Sequence, residues 1–221
     1  MYSLSGGYTV SFREILAKRI VVVEWLLGLL VVIASIFAWA SDRNFADITL
    51  YDIFPPLGLI AFGLMWTYYV IGALRRYVGV KGGRSDMYMT ISTGLVLALI
   101  ILHPGLLWLG LYMDGYGLPP FSYLEVYKTQ LGFVILGTCG LFIFLSYELR
   151  RFFGKKTWWK YIIHLQTLGM AIIFVHAIGL GGELKLNWFM ALWVFYGVTL
   201  ALSIIYTSLI NTSKEGKHGT K

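Results

Sequence analysis

Residues 88–112 read YMTISTGLVLALIILHPGLLWLGLY, a run with no charged side chain and a single histidine, His103. At ~1.5 Å of rise per residue, a helix of about 20 residues crosses the hydrocarbon core of a bilayer, so this run is long enough to span it. Five more blocks have the same character, at about 19–41, 56–74, 129–148, 159–180 and 188–210. The whole chain agrees: its 221 residues are 58% hydrophobic and 13% charged. A soluble domain carries roughly 25% charged residues. The expected fold class is therefore an all-α integral membrane protein with six transmembrane helices in one bundle. Residues 1–18 would form an N-terminal cytoplasmic segment, 19–210 the membrane domain and 211–221 a polar cytoplasmic tail.

The blocks are separated by ordinary breakers: Pro55 and Pro56, Gly82 and Gly83, Pro119 and Pro120, Gly181 and Gly182. No repeat of 20–50 residues and no low-complexity tract is evident. The first 18 residues are polar and include Arg13 and Lys18, so the first apolar block is expected to stay as an anchor rather than leave as a signal peptide. The lone cysteine, Cys139, lies in an apolar block, which excludes an internal disulfide and any Cys/His zinc pattern.

The basic residues fix the expected orientation. Of the 18 lysines and arginines, 15 fall on one side of the six blocks, in clusters at residues 13–19, 75–84, 150–160 and 214–221, and only Arg43, Lys128 and Lys185 fall on the other. The positive-inside rule then puts both termini in the cytoplasm, as an even number of spans requires. The net charge of +7 is thus a topology signal in short loops, and no nucleic-acid partner is expected. Membrane lipid is the first partner, and the inner (plasma) membrane the expected location of this multi-pass chain.

Of four histidines, His218 lies in the polar tail and His103, His164 and His176 lie within spans. Ionisable side chains inside a bilayer are costly and mark functional sites by default. A single one also serves simply to hydrogen-bond a neighbouring helix. His103 stands 15 residues above Tyr88 and His176 stands 15 residues above Tyr161, so both sit roughly 22 Å up from the basic face, in the outer half of the membrane. Two neutral imidazoles at one depth on two helices are what six-coordinate haem iron takes as axial ligands. His164 lies near the cytoplasmic face, where a second haem would need a partner near Tyr88 to Thr90. Only Met87 or Met89 is available there, and methionine in an apolar helix is ordinarily filler. At 12 residues from His176, His164 is about 120° out of phase on a regular helix, unless a π-bulge near Gly169 intervenes. One haem b is the firmer count and two the upper one.

The run KKTWWKYIIHLQTLGMAIIFVH, residues 155–176, together with His103 on an earlier span, resembles the ferric-reductase-like transmembrane domain family. In pattern it is most similar to the bacterial haem-binding membrane subunit of the periplasmic methionine sulfoxide reductase system. The resemblance covers most of residues 50–210. It implies a haem-binding six-helix bundle, with His103, His164 and His176 as candidate axial ligands of the haem iron. Two-haem members carry two histidines on the earlier helix where this chain has one. Fused members continue into flavin and nucleotide domains; no GxGxxG motif occurs here, so a flavin is unsupported by any motif.

Other features carry two readings each. Pro104 frees the Ile100 carbonyl and would tilt His103, or is an ordinary membrane-helix proline. Gly132, Gly137, Gly140 and Gly169 leave room for a flat macrocycle or for helix contacts. Glu24 is expected to snorkel or pair with Arg19 rather than to relay protons. Trp158, Trp159 and Tyr161 form an aromatic belt or a flavoprotein dock. The loop DGYGLPPFSYLEVY, residues 114–127, seals the bundle or receives an acceptor.

The expected function is a transmembrane b-type cytochrome, the haem subunit of an oxidoreductase. Electrons would come from a separate cytoplasmic flavin reductase or a membrane quinol, pass through haem, and reach an outer-face protein or metal acceptor. No catalytic residue is assigned. The alternative is a cofactor-free small transporter or membrane assembly factor using its histidines as polar contacts. Against a transporter stand the want of evident half-repeats and of a carboxylate or arginine deep in the membrane.

Overall fold

Each membrane helix on the N-terminal side starts where the sequence supplies a cap. Ser11 opens α1 (Phe12–Ala40) with a capping box: the Glu14 amide donates to its Oγ at 3.3 Å, and its own amide donates to Glu14 Oε2 at 3.2 Å. Thr49 opens α2 (Leu50–Val78) through Asp52, whose carboxylate accepts from the Thr49 amide at 3.0 Å and hydroxyl at 2.7 Å. The computed structural model describes residues 11–41, 43–80, 87–148, 155–157 and 159–218, with side chains described over that range except at 147–148, 159–164 and 211–218. After α2 come α3 (Met87–Met113), a short α4 (Phe121–Val126), α5 (Leu131–Glu148), α6 (Trp159–Leu180), a 3-10 turn at Gly182–Lys185, and α7 (Asn187–His218). No strand occurs among the described residues.

The chain is an all-helical membrane protein by architecture. Four helices are long and apolar enough to cross a bilayer: Phe12–Ala40, Leu50–Val78, Met87–Met113 and Asn187–Ile210. Leu131–Ser146 and Leu165–Leu180 are shorter apolar helices. On α1 the packing is the reverse of a helix in a soluble protein. The buried face carries Ile20, Glu24, Gly28, Val31, Ser35 and Ala38, at spacings of three and four. Leu26, Leu29, Leu30, Ile33 and Phe37 are exposed. Small and polar groups meet other helices while the large apolar ones face outward, as lipid demands.

The helices overrun the expected boundaries at three ends. α1 begins at Phe12 rather than near residue 19, because the Ser11 box caps a helix that continues beyond its apolar part. α7 likewise runs on to His218, into the expected tail. More instructive is α2, which starts at Leu50 and holds Pro55 and Pro56 inside it rather than ahead of it. A proline at 56 leaves the Asp52 carbonyl without its helical donor. The Trp39 indole of α1 donates to that carbonyl at 2.7 Å, so the helix passes through the prolines with the orphaned group satisfied.

α2 is the centre of the bundle: α1, α3 and α7 pack against it, and α5 and α6 form a second hairpin that touches it through α6. A ring cluster joins the two halves. Phe62 of α2 lies 4.4 Å from Trp193 of α7, Trp66 lies 4.5 Å from Tyr196, and Phe174 of α6 stacks on Trp193 at 5.8 Å. The Trp66 indole donates to Thr199 Oγ1 at 2.9 Å, which fixes α7 on α2. Glu24 is fully buried and accepts from Arg75 Nε of α2 at 2.5 Å, so it neither snorkels nor pairs with Arg19. Five residues on one helix do not share a face, whereas Glu24 lies on the face that α1 turns to α2.

The Trp39 contact yields a test. Trp39→Phe leaves the Asp52 carbonyl without a donor and is expected to cost about 1–3 kcal/mol. Pro56→Ala restores the helical N–H, so Trp39→Phe in that background should cost clearly less. Thermal unfolding in detergent of the two single variants and the double reads the coupling; additive losses would contradict it.

Candidate functional site

The two hairpins, α2–α3 and α5–α6, stand with a cavity of about 420 Å³ between them. That is within the ~300–1,000 Å³ range of small-molecule and cofactor sites. Its walls are mostly apolar, and Trp193 of the ring cluster closes part of it. Apart from Thr138 and the two histidines, its polar members such as Arg43, Tyr51, Tyr123, Tyr127, Gln130 and Glu183 come from helix starts and loops at one end, the end with few basic residues.

His103 of α3 and His176 of α6 face each other across this space, with ring centres 6.5 Å apart and ring planes at 86°. Both keep surface open to it. Each ring is anchored by its own hairpin. His103 Nδ1 lies 2.8 Å from the Phe54 carbonyl of α2, and His176 Nδ1 lies 2.7 Å from the Phe133 carbonyl of α5. A carbonyl oxygen only accepts, so Nδ1 carries the proton in both rings and Nε2 keeps its lone pair. Two imidazoles with Nδ1–H tied to backbone carbonyls are oriented as metal ligands ordinarily are.

Glycines make room for both rings. A Cβ on Gly58 of α2 would come within 2.8 Å of the His103 ring, and one on Gly137 of α5 within 2.5 Å of the His176 ring. Each imidazole lies in the notch its glycine leaves, one helical turn beyond the carbonyl that holds it.

Other expected site residues fall elsewhere. The His164 side chain lies outside the described residues, as do those of His218, Trp158, Trp159 and Tyr161. α6 is α-helical throughout its length, without a π-bulge near Gly169. Met87 is exposed at the start of α3, and neither it nor Met89 borders the cavity. Gly140 and Gly169 pack α5 on α6, against Ile173 and against Ile143 with Phe144; Gly132 has no close neighbour. Sequence reasoning missed Gly58, the two phenylalanine carbonyls and Arg43. A glycine one turn after a phenylalanine on the helix preceding each histidine was the available signal.

At the polar end, Arg43 pairs with Asp52 and, at 2.7 Å, with Glu183 of the 3-10 turn. It thereby ties the α1–α2 connection to the α6–α7 connection. Tyr51 donates to Asp114 Oδ2 at 2.7 Å, and the Trp108 indole donates to the Tyr123 hydroxyl. Burial pushes the Tyr123 and Tyr127 phenols up, so both stay neutral. The loop at 114–127 therefore closes the cavity's end with Tyr123, while Leu118, Phe121 and Leu124 stay exposed.

Among the described residues no group of three His, Cys, Asp or Glu could hold a bare metal ion. The two imidazoles alone offer two nitrogen donors, fewer than a bare ion takes from protein side chains. No protein-family model matches the chain, and no curated protein or solved structure matches it either.

The Arg43 clamp predicts its own phenotype. Arg43→Ala leaves Glu183, whose side chain is only 4% exposed, without its cation. The expected loss is about 3 kcal/mol of stability by thermal unfolding. Arg43→Lys keeps the charge but lacks the fork that meets Asp52 and Glu183 with separate nitrogens, and should recover only part of it.

Proposed function

We propose that the chain is a transmembrane b-type cytochrome in which His103 and His176 are the axial ligands of one haem b. The observation that carries this reading is the opposed pair of imidazoles, each with Nδ1–H given to a carbonyl and Nε2 left free. An imidazole nitrogen binds a metal at ~2.0–2.1 Å and the ring centre lies about 1 Å further on, so two axial rings stand about 6 Å apart. The observed 6.5 Å fits that separation. The glycine notches and the largely apolar walls fit a flat, apolar macrocycle in the same place.

Bound haem supplies one-electron chemistry at the iron. The protein's part is to place it, hold both imidazoles neutral, and keep water out through Tyr123 and the Arg43 clamp. With both axial positions taken by histidine, electron transfer is the supported role and oxygen binding is not. The functional class is thus an electron-transfer haem subunit of an oxidoreductase. Its donor would be a cytoplasmic flavin reductase or a membrane quinol, and its acceptor an outer-face protein or metal.

The charge asymmetry supports six spans with both termini in the cytoplasm of the inner membrane, α5 and α6 forming the two shorter crossings. The cavity then lies in the outer half of the bilayer, where an electron is delivered to the outer face. His164 would be a second ligand only with a partner that neither Met87 nor Met89 supplies from the cavity. The resemblance of residues 155–176 to the ferric-reductase-like family agrees with this reading in the order of its histidines.

The test is an optical spectrum of detergent-purified protein, oxidised and dithionite-reduced, with haem quantified per chain. A sharp reduced α-band with one haem per chain is expected, lost in His103→Ala and in His176→Ala and retained in His164→Ala. A colourless protein from haem-replete cells would refute the cytochrome reading.

A further inference from the structure

We infer that the cavity is built from two copies of one ligand-presenting hairpin, in which Gly58 with the Phe54 carbonyl and Gly137 with the Phe133 carbonyl are equivalent positioning groups that hold the two imidazole planes perpendicular. This inference rests on the cytochrome reading, which it deepens.

The equivalence begins in the sequence. The start of α2 reads FPPLG, residues 54–58, and the start of α5 reads FVILG, residues 133–137. In both, the phenylalanine carbonyl accepts from a histidine on the next long helix, and the glycine one turn later receives that histidine's ring. Aligning the two phenylalanines puts positions 79 apart in register. The cavity-lining pairs Tyr51 and Gln130, Pro55 and Val134, and Met65 and Phe144 all obey that offset. Aligning His103 with His176 sets an offset of 73 between α3 and α6. The lining pairs Ile100 and Ile173, Pro104 and Ala177, and Leu107 and Leu180 obey it too. Tyr88 and Tyr161 fall in the same register.

Chance similarity between apolar helices would match composition. It would not match which positions face one cavity, which carbonyl binds which ring, and which glycine receives it. α2 and α5 both begin at the polar end of the cavity, so the two hairpins run in the same direction. The operation relating them is therefore close to a two-fold rotation about an axis parallel to the helices.

That symmetry explains the ring angle. A two-fold rotation doubles whatever tilt one ring has to the axis. A ring inclined midway between the axis and its normal is carried to one at right angles to it, and the observed angle is 86°. Each ring's tilt is set by two contacts, the carbonyl at Nδ1 and the glycine notch against Cε1 and Nδ1. An alanine methyl in that notch cannot coexist with the ring in its present plane. These glycines are positioning residues: they act on the iron only through the imidazoles.

The test is ferric electron paramagnetic resonance of the haem-loaded wild type, Gly58→Ala, Gly137→Ala, and the control Gly169→Ala. Perpendicular axial imidazoles leave the low-spin d-orbitals nearly degenerate, which gives one strongly anisotropic low-field feature. Parallel imidazoles give a three-feature rhombic spectrum. The wild type and Gly169→Ala, whose glycine packs against Ile143 and Phe144 and touches neither imidazole, should show the anisotropic feature. Gly58→Ala and Gly137→Ala should each lose it, to a rhombic or a high-spin signal and to similar extents. A low-spin wild type with a rhombic spectrum overturns the inference and leaves the cytochrome standing, and so do glycine variants with unchanged spectra. If neither variant folds, the wild-type spectrum alone decides between perpendicular and parallel rings. A wild type without haem overturns both.

Discussion

An imidazole placed in hydrocarbon must account for both of its nitrogens, and most of this molecule's inner architecture follows from how it does so. At His103 and at His176 the Nδ1–H goes to a helix carbonyl, at 2.8 and 2.7 Å. Those carbonyls, on Phe54 and Phe133, belong to regular helices, whose carbonyls accept routinely from the fourth residue onward. The second lone pair of each is what the histidine uses. Neither helix has to break, so the membrane constraint on backbone polar groups is met at the same time. What remains is an unprotonated Nε2 on each ring, in a mostly apolar cavity that has one imidazole on each side.

The large features were legible in the sequence for a simple reason: a spanning helix needs a length of apolar chain, and length can be counted. The run at 88–112 and the helix Met87–Met113 differ by one residue at each end. The depth argument that put His103 and His176 at one level relied on the same constant rise. Helix ends were less legible because they depend on hydrogen bonds rather than hydropathy. Pro55 and Pro56 read as a boundary, but the Thr49 and Asp52 box starts the helix earlier, and Trp39, from another helix, supplies the missing donor. Glu24 was misjudged for the same reason: its partner Arg75 is 51 residues away in the chain and adjacent only once α1 packs on α2. The glycines were half legible: Gly137 was among those expected to leave room for a macrocycle and Gly58 was not, and only a neighbouring imidazole sets these two apart from the rest.

The duplicated hairpin changes one sequence argument. Missing half-repeats counted against a transporter, yet a repeat with offsets of 79 and 73 is present. It was invisible at 20–50 residues because the unit is a whole hairpin, and the two offsets differ because α2 runs on further past Phe54, to Val78, than α5 does past Phe133, to Glu148. Parallel repeats also occur in transporters, so the repeat alone favours neither function. The helices decide more. Transporter sites at a repeat interface are typically made by broken helices whose exposed ends bind the substrate, whereas α2, α3, α5 and α6 are continuous past the cavity. Here the polar groups aimed inward are side-chain nitrogens held in place by intact backbone.

Continuity also explains why there is a cavity at all. Two hairpins brought together by α7 and the Phe62, Phe174 and Trp193 rings would be expected to close on each other, since packed interiors leave few voids. Bulky side chains at 58 and 137 would push both imidazoles toward the midline and fill the space with protein. Glycine at each position lets its histidine sink back into its own hairpin by about the width of a methyl group. The recess is matched on both sides because the hairpin is used twice, so the gap forms midway between them with one ring on each wall. A site for a flat ligand gripped from both faces therefore needs no specialised loop. It follows from one small residue, placed one turn beyond one carbonyl, in a unit that occurs twice.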